Sequence, residues 1–196
     1  MNNDLTSSFR PAIVMTGLFA ILLGVGYPLA MTGIAQTLFP HQANGSLVID
    51  RGKPIGSELI GQGFASDRYF HARPSAAGKG YDGMASGGSN FGPTSQALVD
   101  RMKDDIKALK PPTAGQPIPA DLVTASGSGL DPDISPEAAR YQAPAIAKVR
   151  GIPQERVAAL IDASVETPLL PFLGDPHVNV LALNRQLDQL AAPVAR

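Results

Sequence analysis

Cysteine is absent from all 196 positions. That excludes disulfides, thiolate metal sites, a cysteine nucleophile and a lipoprotein anchor. Histidine is scarce. His41, His71 and His177 stand far apart, and no His-x-x-x-His or His-Glu pair has the spacing of a zinc site. Neither sign of charge dominates. Lys and Arg number 16 against 17 Asp and Glu, a net charge of −1, without the basic surplus that nucleic acid or an anionic lipid surface would attract. No Gly-x-Ser-x-Gly word occurs, no lysine lies three residues after Ser75, and the Gly-Lys-Ser/Thr of a phosphate loop is missing.

Charge is also missing from one whole segment. Between Pro11 and Pro40 there is no Asp, Glu, Lys or Arg. This run exceeds the roughly 20 residues that cross a hydrocarbon core about 30 Å thick. In lipid the backbone must satisfy itself, so a lone spanning segment is a helix. The apolar core is longer than the 7–15 residues of a cleaved signal, and Gly26 to Gly33 contains no Ala-x-Ala. The expectation is therefore an uncleaved anchor over 11–39, preceded by a short cytoplasmic segment at 1–10. Arg10 and the amino group precede the helix, and the positive-inside rule keeps them in the cytoplasm. Residues 40–196 then form one periplasmic domain, long enough to bury a core of its own. Within the anchor, Thr16, Ala20 and Gly24 recur every four residues, and Gly26 and Ala30 repeat the interval. Small residues so spaced let a second helix approach, although glycine and alanine are common in membrane helices anyway. Pro28 cannot donate to Gly24 and is expected to kink the helix.

Past the anchor, Ser46–Ile49 and Ile55–Ile60 read as strands joined by the turn Arg51-Gly52-Lys53-Pro54. Ala72–Pro93, rich in glycine and serine, reads as loop. Thr94 or Ser95 opens a helix to about Leu109, with Leu98, Met102, Ile106 and Leu109 on one face and Arg101 and Asp105 among the charges on the other. Lys110-Pro111-Pro112 ends it, and a proline-rich connector follows to Pro119. Leu122–Ser126 is a candidate buried strand. Ser135-Pro136-Glu137 is a strong helix start, and Pro144 kinks or splits that helix. Helices are expected from about Pro153 to Ala163, burying Val157, Leu160 and Ile161, and from Asn179 to Leu190, burying Val180, Leu183, Leu187 and Leu190. The fold class is a single N-terminal transmembrane helix followed by one α+β extracytoplasmic domain, a small sheet with several helices.

Four stretches bear on function. Asp131, Asp133, Ser135 and Glu137 alternate like a calcium loop but lack its sixth-position glycine and twelfth-position glutamate, which leaves turn and capping roles and no metal site. Ser86-Gly87-Gly88-Ser89-Asn90 and Ser126-Gly127-Ser128-Gly129 read either as backbone concavities for anions or as tight turns. Tyr69-Phe70-His71-Ala72-Arg73-Pro74-Ser75 reads either as an aromatic plug over the core or as a docking edge, since Tyr and Arg often anchor interfaces.

The order of several words is more specific. Tyr27-Pro28-Leu29, Phe39-Pro40 and Gln42-Ala43-Asn44-Gly45-Ser46-Leu47 lead to Gly56-Ser57-Glu58-Leu59-Ile60-Gly61-Gln62-Gly63-Phe64, and then to Tyr69–Ala76. Ser86–Asn90, Val123–Pro132, Val178-Asn179-Val180 and Leu183-Asn184 follow. From anchor to final helix the chain resembles the C subunit of the bacterial Kdp potassium-transporting ATPase. The resemblance implies one member of a four-protein complex of the inner membrane. Its partners would be a channel-like potassium-selecting subunit, a P-type ATPase subunit and a very small fourth subunit, with membrane lipid around the anchor. It also implies a catalytic chaperone that raises the ATPase subunit's affinity for ATP, and hence nucleotide binding. The residues themselves contain no Asp-Lys-Thr-Gly segment for phosphorylation and no Thr-Val-Gly-Tyr-Gly filter. The expected protein is therefore an accessory subunit with no catalytic residue and no cofactor of its own, ATP and potassium being handled by its partners. The competing readings are a membrane-tethered periplasmic serine hydrolase acting through Ser89 or Ser126, and a binding module that senses nucleotide with the opposite topology.

Overall fold

The computed structural model describes residues 2–109, 116–170 and 172–191. The chain divides into two units, 1–47 and 48–196. In the first, α1 (Asn2–Ile21) passes through a π-helical turn (Leu22–Gly26) into α2 (Tyr27–Leu38). Over Ser7–Leu38 this is one helix long and apolar enough to cross a membrane, and every residue in that span except the half-buried Ala35 is exposed. Such a surface is stable only in lipid or against another apolar helix. Thr37 satisfies its hydroxyl internally by donating to the Gly33 carbonyl at 2.7 Å.

The structure meets the expected kink at Pro28 with a change of helix type. The Tyr27 N–H donates to the Leu22 carbonyl, five residues back. Pro28 then falls in the first turn of α2, where a missing donor costs least. The wider turn also moves the Gly24 carbonyl away from the proline ring. Phe39 leaves helical geometry, and a single turn, α3 (Pro40–Ala43), follows.

The second unit begins with the ribbon β1 (Leu47–Asp50) and β2 (Lys53–Ser57), which pair with each other. Arg51 and Gly52 have φ of 46° and 78°, the pair of left-handed residues that a two-residue hairpin requires. Residues 58–95 hold no helix or strand. Then come α4 (Gln96–Ala108), a 3-10 turn (Ala120–Leu122), β3 (Asp133–Ile134), α5 (Pro136–Arg150), α6 (Gln154–Ala163), β4 (Val178–Asn179) and α7 (Val180–Ala191). Strands β3 and β4 are antiparallel, with Asp133 opposite Asn179 and Ile134 opposite Val178.

The core joins Phe70, Ile134, Val157, Ile161, Val178, Val180, Leu183 and Leu187 to the alanines of α5. Ala138, Ala139, Ala143 and Ala147 are buried and lie along the inner side of α5, which packs against α6. Ser135 caps α5 by accepting from the Ala138 N–H at 3.0 Å, and Gly151, at φ 66°, ends it in the left-handed conformation. Pro144 does not split this helix.

The α+β class holds, with three corrections. Two separate two-stranded ribbons replace the one small sheet, because β3 and β4 pair across helices α5 and α6 and do not join the hairpin. Leu122–Ser126 is not a strand. Leu122 N–H donates to Pro119, Val123 N–H to Ala120, and the Thr124 hydroxyl to the Ala120 carbonyl at 2.7 Å, so local bonds coil the run into a turn while Leu122 and Val123 are still buried. Arg101 and Asp105 are half-buried and paired at 3.6 Å on the covered side of α4, while Ile106 is exposed. The expected helix stop at Lys110-Pro111-Pro112 lies outside the described residues.

Candidate docking surface

The segment Tyr69–Ser75 has no strand partner, yet helices α5 and α7 hold it as a sheet would. The buried Asn184 amide of α7 accepts from the Phe70 N–H at 2.8 Å and donates to the Phe70 carbonyl at 2.9 Å. The Gln142 amide of α5 does the same for His71, at 2.8 and 3.1 Å. Two side chains thus replace the missing β neighbour and satisfy the backbone groups of the buried Phe70 and the half-buried His71. Phe70 is fully enclosed, so its ring is the plug of the two readings. Burial also pushes the His71 imidazole below its ordinary pKa, against the opposing pull of Asp67.

Tyr69 remains half-exposed. Its hydroxyl donates to Asp188 at 3.1 Å, and its ring lies 4.8 Å from the Arg150 guanidinium. Arg150 is almost entirely covered. It ion-pairs with Asp188 at 2.8 Å and donates to the Arg68 carbonyl at 2.6 Å, at the helix end where a cation offsets the dipole. Arg73 is half-buried. It reaches Asp131 at 3.2 Å and donates to the Thr124 carbonyl and hydroxyl. Pro74 is half-buried beside it. The segment therefore offers Tyr69 and Arg73 to a partner only as edges already fixed from behind.

The two glycine-serine stretches form one interlocked unit. The Ser128 carbonyl accepts from the Gly87 N–H at 2.8 Å and from the Ser86 hydroxyl at 3.0 Å. The Ser75 hydroxyl donates to the Gly129 carbonyl and accepts from the Tyr81 N–H at 2.7 Å. Gly129 has φ 66°, and a Cβ there would lie 2.5 Å from the Gly87 carbonyl oxygen and 2.7 Å from the Ala77 nitrogen. A Cβ on Gly88 would meet the Gly127 carbonyl oxygen at 3.1 Å. The Gly87 and Gly129 N–H groups are thus taken up by carbonyls of the second stretch, at Ser128 and Ser126. Ser89 is half-buried, and Asn90 is exposed at φ 52°. Ser126 Oγ meets Ser128 Oγ at 3.4 Å, and neither Ser89 nor Ser126 hydrogen-bonds a histidine.

Beside Arg73 opens a cavity of about 360 Å³ whose walls include Asp121, Asp131, Asp133, Asp175 and His177. Three of the carboxylates accept structural bonds. Asp121 accepts from the Ser135 N–H at 2.7 Å, Asp131 from the Asp133 N–H at 3.1 Å, and Asp133 from the Asn179 amide at 3.1 Å. Burial pushes the Asp133 carboxyl up, with His177 and the Asn179 bond pulling it back. Among the described residues no three His, Asp or Glu side chains are grouped to hold a metal ion.

In the apolar helix, Thr16 and Ala20 lie in α1, Gly24 and Gly26 in the π turn, and Pro28 and Ala30 in α2. The extra residue of the π turn, which holds Gly24 and Gly26, shifts the helical phase there. Nothing lies within 4 Å of the position a Gly24 Cβ would take. Sequence reasoning missed Gln142, Asn184, Arg150 and Asp188, whose partners are far away along the chain. It also missed the exposed apolar residues Leu169, Leu170, Phe172 and Leu173, which have no helical or strand period but are bracketed by Pro168 and Gly174.

Comparison with known proteins places these features in a family. The KdpC model, described as K+-transporting ATPase, c chain, matches residues 9–189. A protein of Caulobacter vibrioides (strain NA1000 / CB15N), called Potassium-transporting ATPase KdpC subunit, is 60% identical over 190 residues, covering 96% of this chain and 96% of its own. Proteins of the same name from Bradyrhizobium diazoefficiens and Acidobacterium capsulatum are 53% and 52% identical, covering 93% and 92% of this chain and 97% of their own lengths.

Proposed function

The chain belongs to the KdpC family, the c chain of the K+-transporting ATPase, and from that premise we propose that it is a non-catalytic accessory subunit that holds the pump together and biases its conformations from outside the cell interior. Membership makes it a subunit of a potassium uptake complex. The finer reading is that its helix lies among the membrane segments of a channel-like potassium-selecting subunit, a P-type ATPase subunit and a small fourth subunit. The amino end faces the cytoplasm and residues 40–196 face the periplasm.

The observation that carries this reading is an apolar helix with almost nothing covering it, followed in the chain by a domain whose polar side chains are engaged in structural bonds. Arg10 ahead of the helix supports the orientation. With no phosphate loop and no filter in its sequence, the subunit leaves ATP and potassium to its partners. Any effect on ATP affinity then comes from contacts that differ between pump states.

Two measurements test the reading. Ala20→Leu or Gly24→Leu should lower recovery of the transport subunits with a tagged chain, and full recovery from both would remove the helix-packing role. Protease added to right-side-out spheroplasts should digest the domain, and protection until lysis would reverse the orientation.

A further inference from the structure

The loop between α6 and β4 is closed at its base and apolar at its tip. Glu166 and His177 exchange both backbone hydrogen bonds, at 2.8 and 3.0 Å. Beyond this clasp Leu169 is 99% exposed, Phe172 79%, Leu173 64% and Leu170 46%. Single exposed apolar residues are ordinary, but four on one short closed loop mark a contact surface. No core residue competes for them, because Val178 and Val180 fill the interior immediately after the clasp.

The charge around the loop decides what it fits. No Lys or Arg occurs between Arg156 and Arg185. At the clasp His177 lies 3.8 Å from Glu166 and 3.9 Å from Asp133, and Asp175 and His177 form part of the wall of the acidic 360 Å³ cavity. The guanidinium on that wall, Arg73, is already paired with Asp131. An anionic bilayer would meet the Glu166 and Asp175 carboxylates of this rim unfavourably. A second copy of the chain would set carboxylate against carboxylate. We propose that Leu169, Leu170, Phe172 and Leu173 dock into an apolar hollow, rimmed by Lys or Arg, on another protein of the same potassium pump.

This proposal rests on the subunit reading, and the test separates the two. The tagged full-length chain is expressed with the other pump proteins and recovered in mild detergent. Recovery of those proteins with the wild-type chain bears on the subunit reading, and its absence would overturn both. Given wild-type recovery, Leu169→Asp and Phe172→Asp should each cut it about tenfold or more, because a buried apolar contact is replaced by a desolvated charge. Asp175→Lys should cut it as well, by reversing one rim charge. All three purified variants should unfold at the wild-type temperature, since the changed side chains are exposed. Leu169→Met should behave as wild type. Undiminished recovery of Leu169→Asp and Phe172→Asp would overturn the proposal. So would a defect seen only in anionic vesicles and not in detergent, which assigns the loop to lipid. A change in the self-association of the isolated chain would assign it to a second copy and overturn the proposal equally.

Discussion

Replacing Asn184 with leucine tests how the domain holds the segment around Phe70. Leucine has the same branched outline as asparagine, so no cavity opens. What is lost is the pair of bonds to the Phe70 N–H and carbonyl, both inside a fully enclosed residue. A buried backbone group left without a partner costs about 1–3 kcal/mol, so the pair amounts to roughly 2–6 kcal/mol. Set against a typical total of about 5–15 kcal/mol, that is a large fraction. In a chain of this length each kcal/mol lowers the melting temperature by about 2–4 °C, which predicts a drop of roughly 5–20 °C. The assay is thermal unfolding of the purified chain in detergent, followed by far-ultraviolet circular dichroism. Asn184→Asp refines it. At neutral pH the new carboxylate can accept from the Phe70 N–H but faces the Phe70 carbonyl without a proton to give. On acidification the protonated carboxyl regains a donor, so the Asn184→Asp variant should recover part of the loss as pH falls while the leucine variant does not. An Asn184→Leu chain that melts with the wild type would refute the argument that two amides stand in for a missing strand.

Two further outcomes follow from the same geometry. Gly129→Ala should destabilise by at least about 2 kcal/mol, since its φ of 66° and the backbone of Gly87 and Ala77 both oppose a Cβ, whereas Gly87→Ala, with open space at that position, should unfold like the wild type. Burial depresses the folded-state pKa of His71, so well above about pH 6.5 the group is neutral in both states and contributes nothing. Below that, the unfolded chain takes up a proton that the folded chain resists, and stability falls as pH drops; His71→Gln should flatten this slope in denaturant titrations between about pH 5.5 and 7.5.

The elements read correctly from sequence are those whose signal is local. A long uncharged run needs no context to be recognised as an apolar helix. Ser135 and Pro136 mark the start of α5 with short-range chemistry, and Val157, Ile161, Leu183 and Leu187 recur at helical spacing. What escaped depends on distance. Asp133 and Asn179 face each other across two helices, so neither two-residue strand has a pattern of its own. Leu122 and Val123 read as a strand because a short apolar run looks the same in a turn that is buried. Arg101 and Asp105 sit on the covered side of α4 because they pair with each other. At the candidate site the sequence picked out Tyr69, Arg73, Ser86 and Gly129 but not the clamp behind Phe70, and it read two glycine-serine words separately where the fold makes one unit.

Phe70 and Asn184 are 114 positions apart, and His71 and Gln142 are 71 apart. During synthesis, Tyr69 and Arg73 leave the ribosome well before the helices that shape them. A chain interrupted ahead of α7 would carry every residue of that segment without the two Asn184 bonds that hold Phe70 in place.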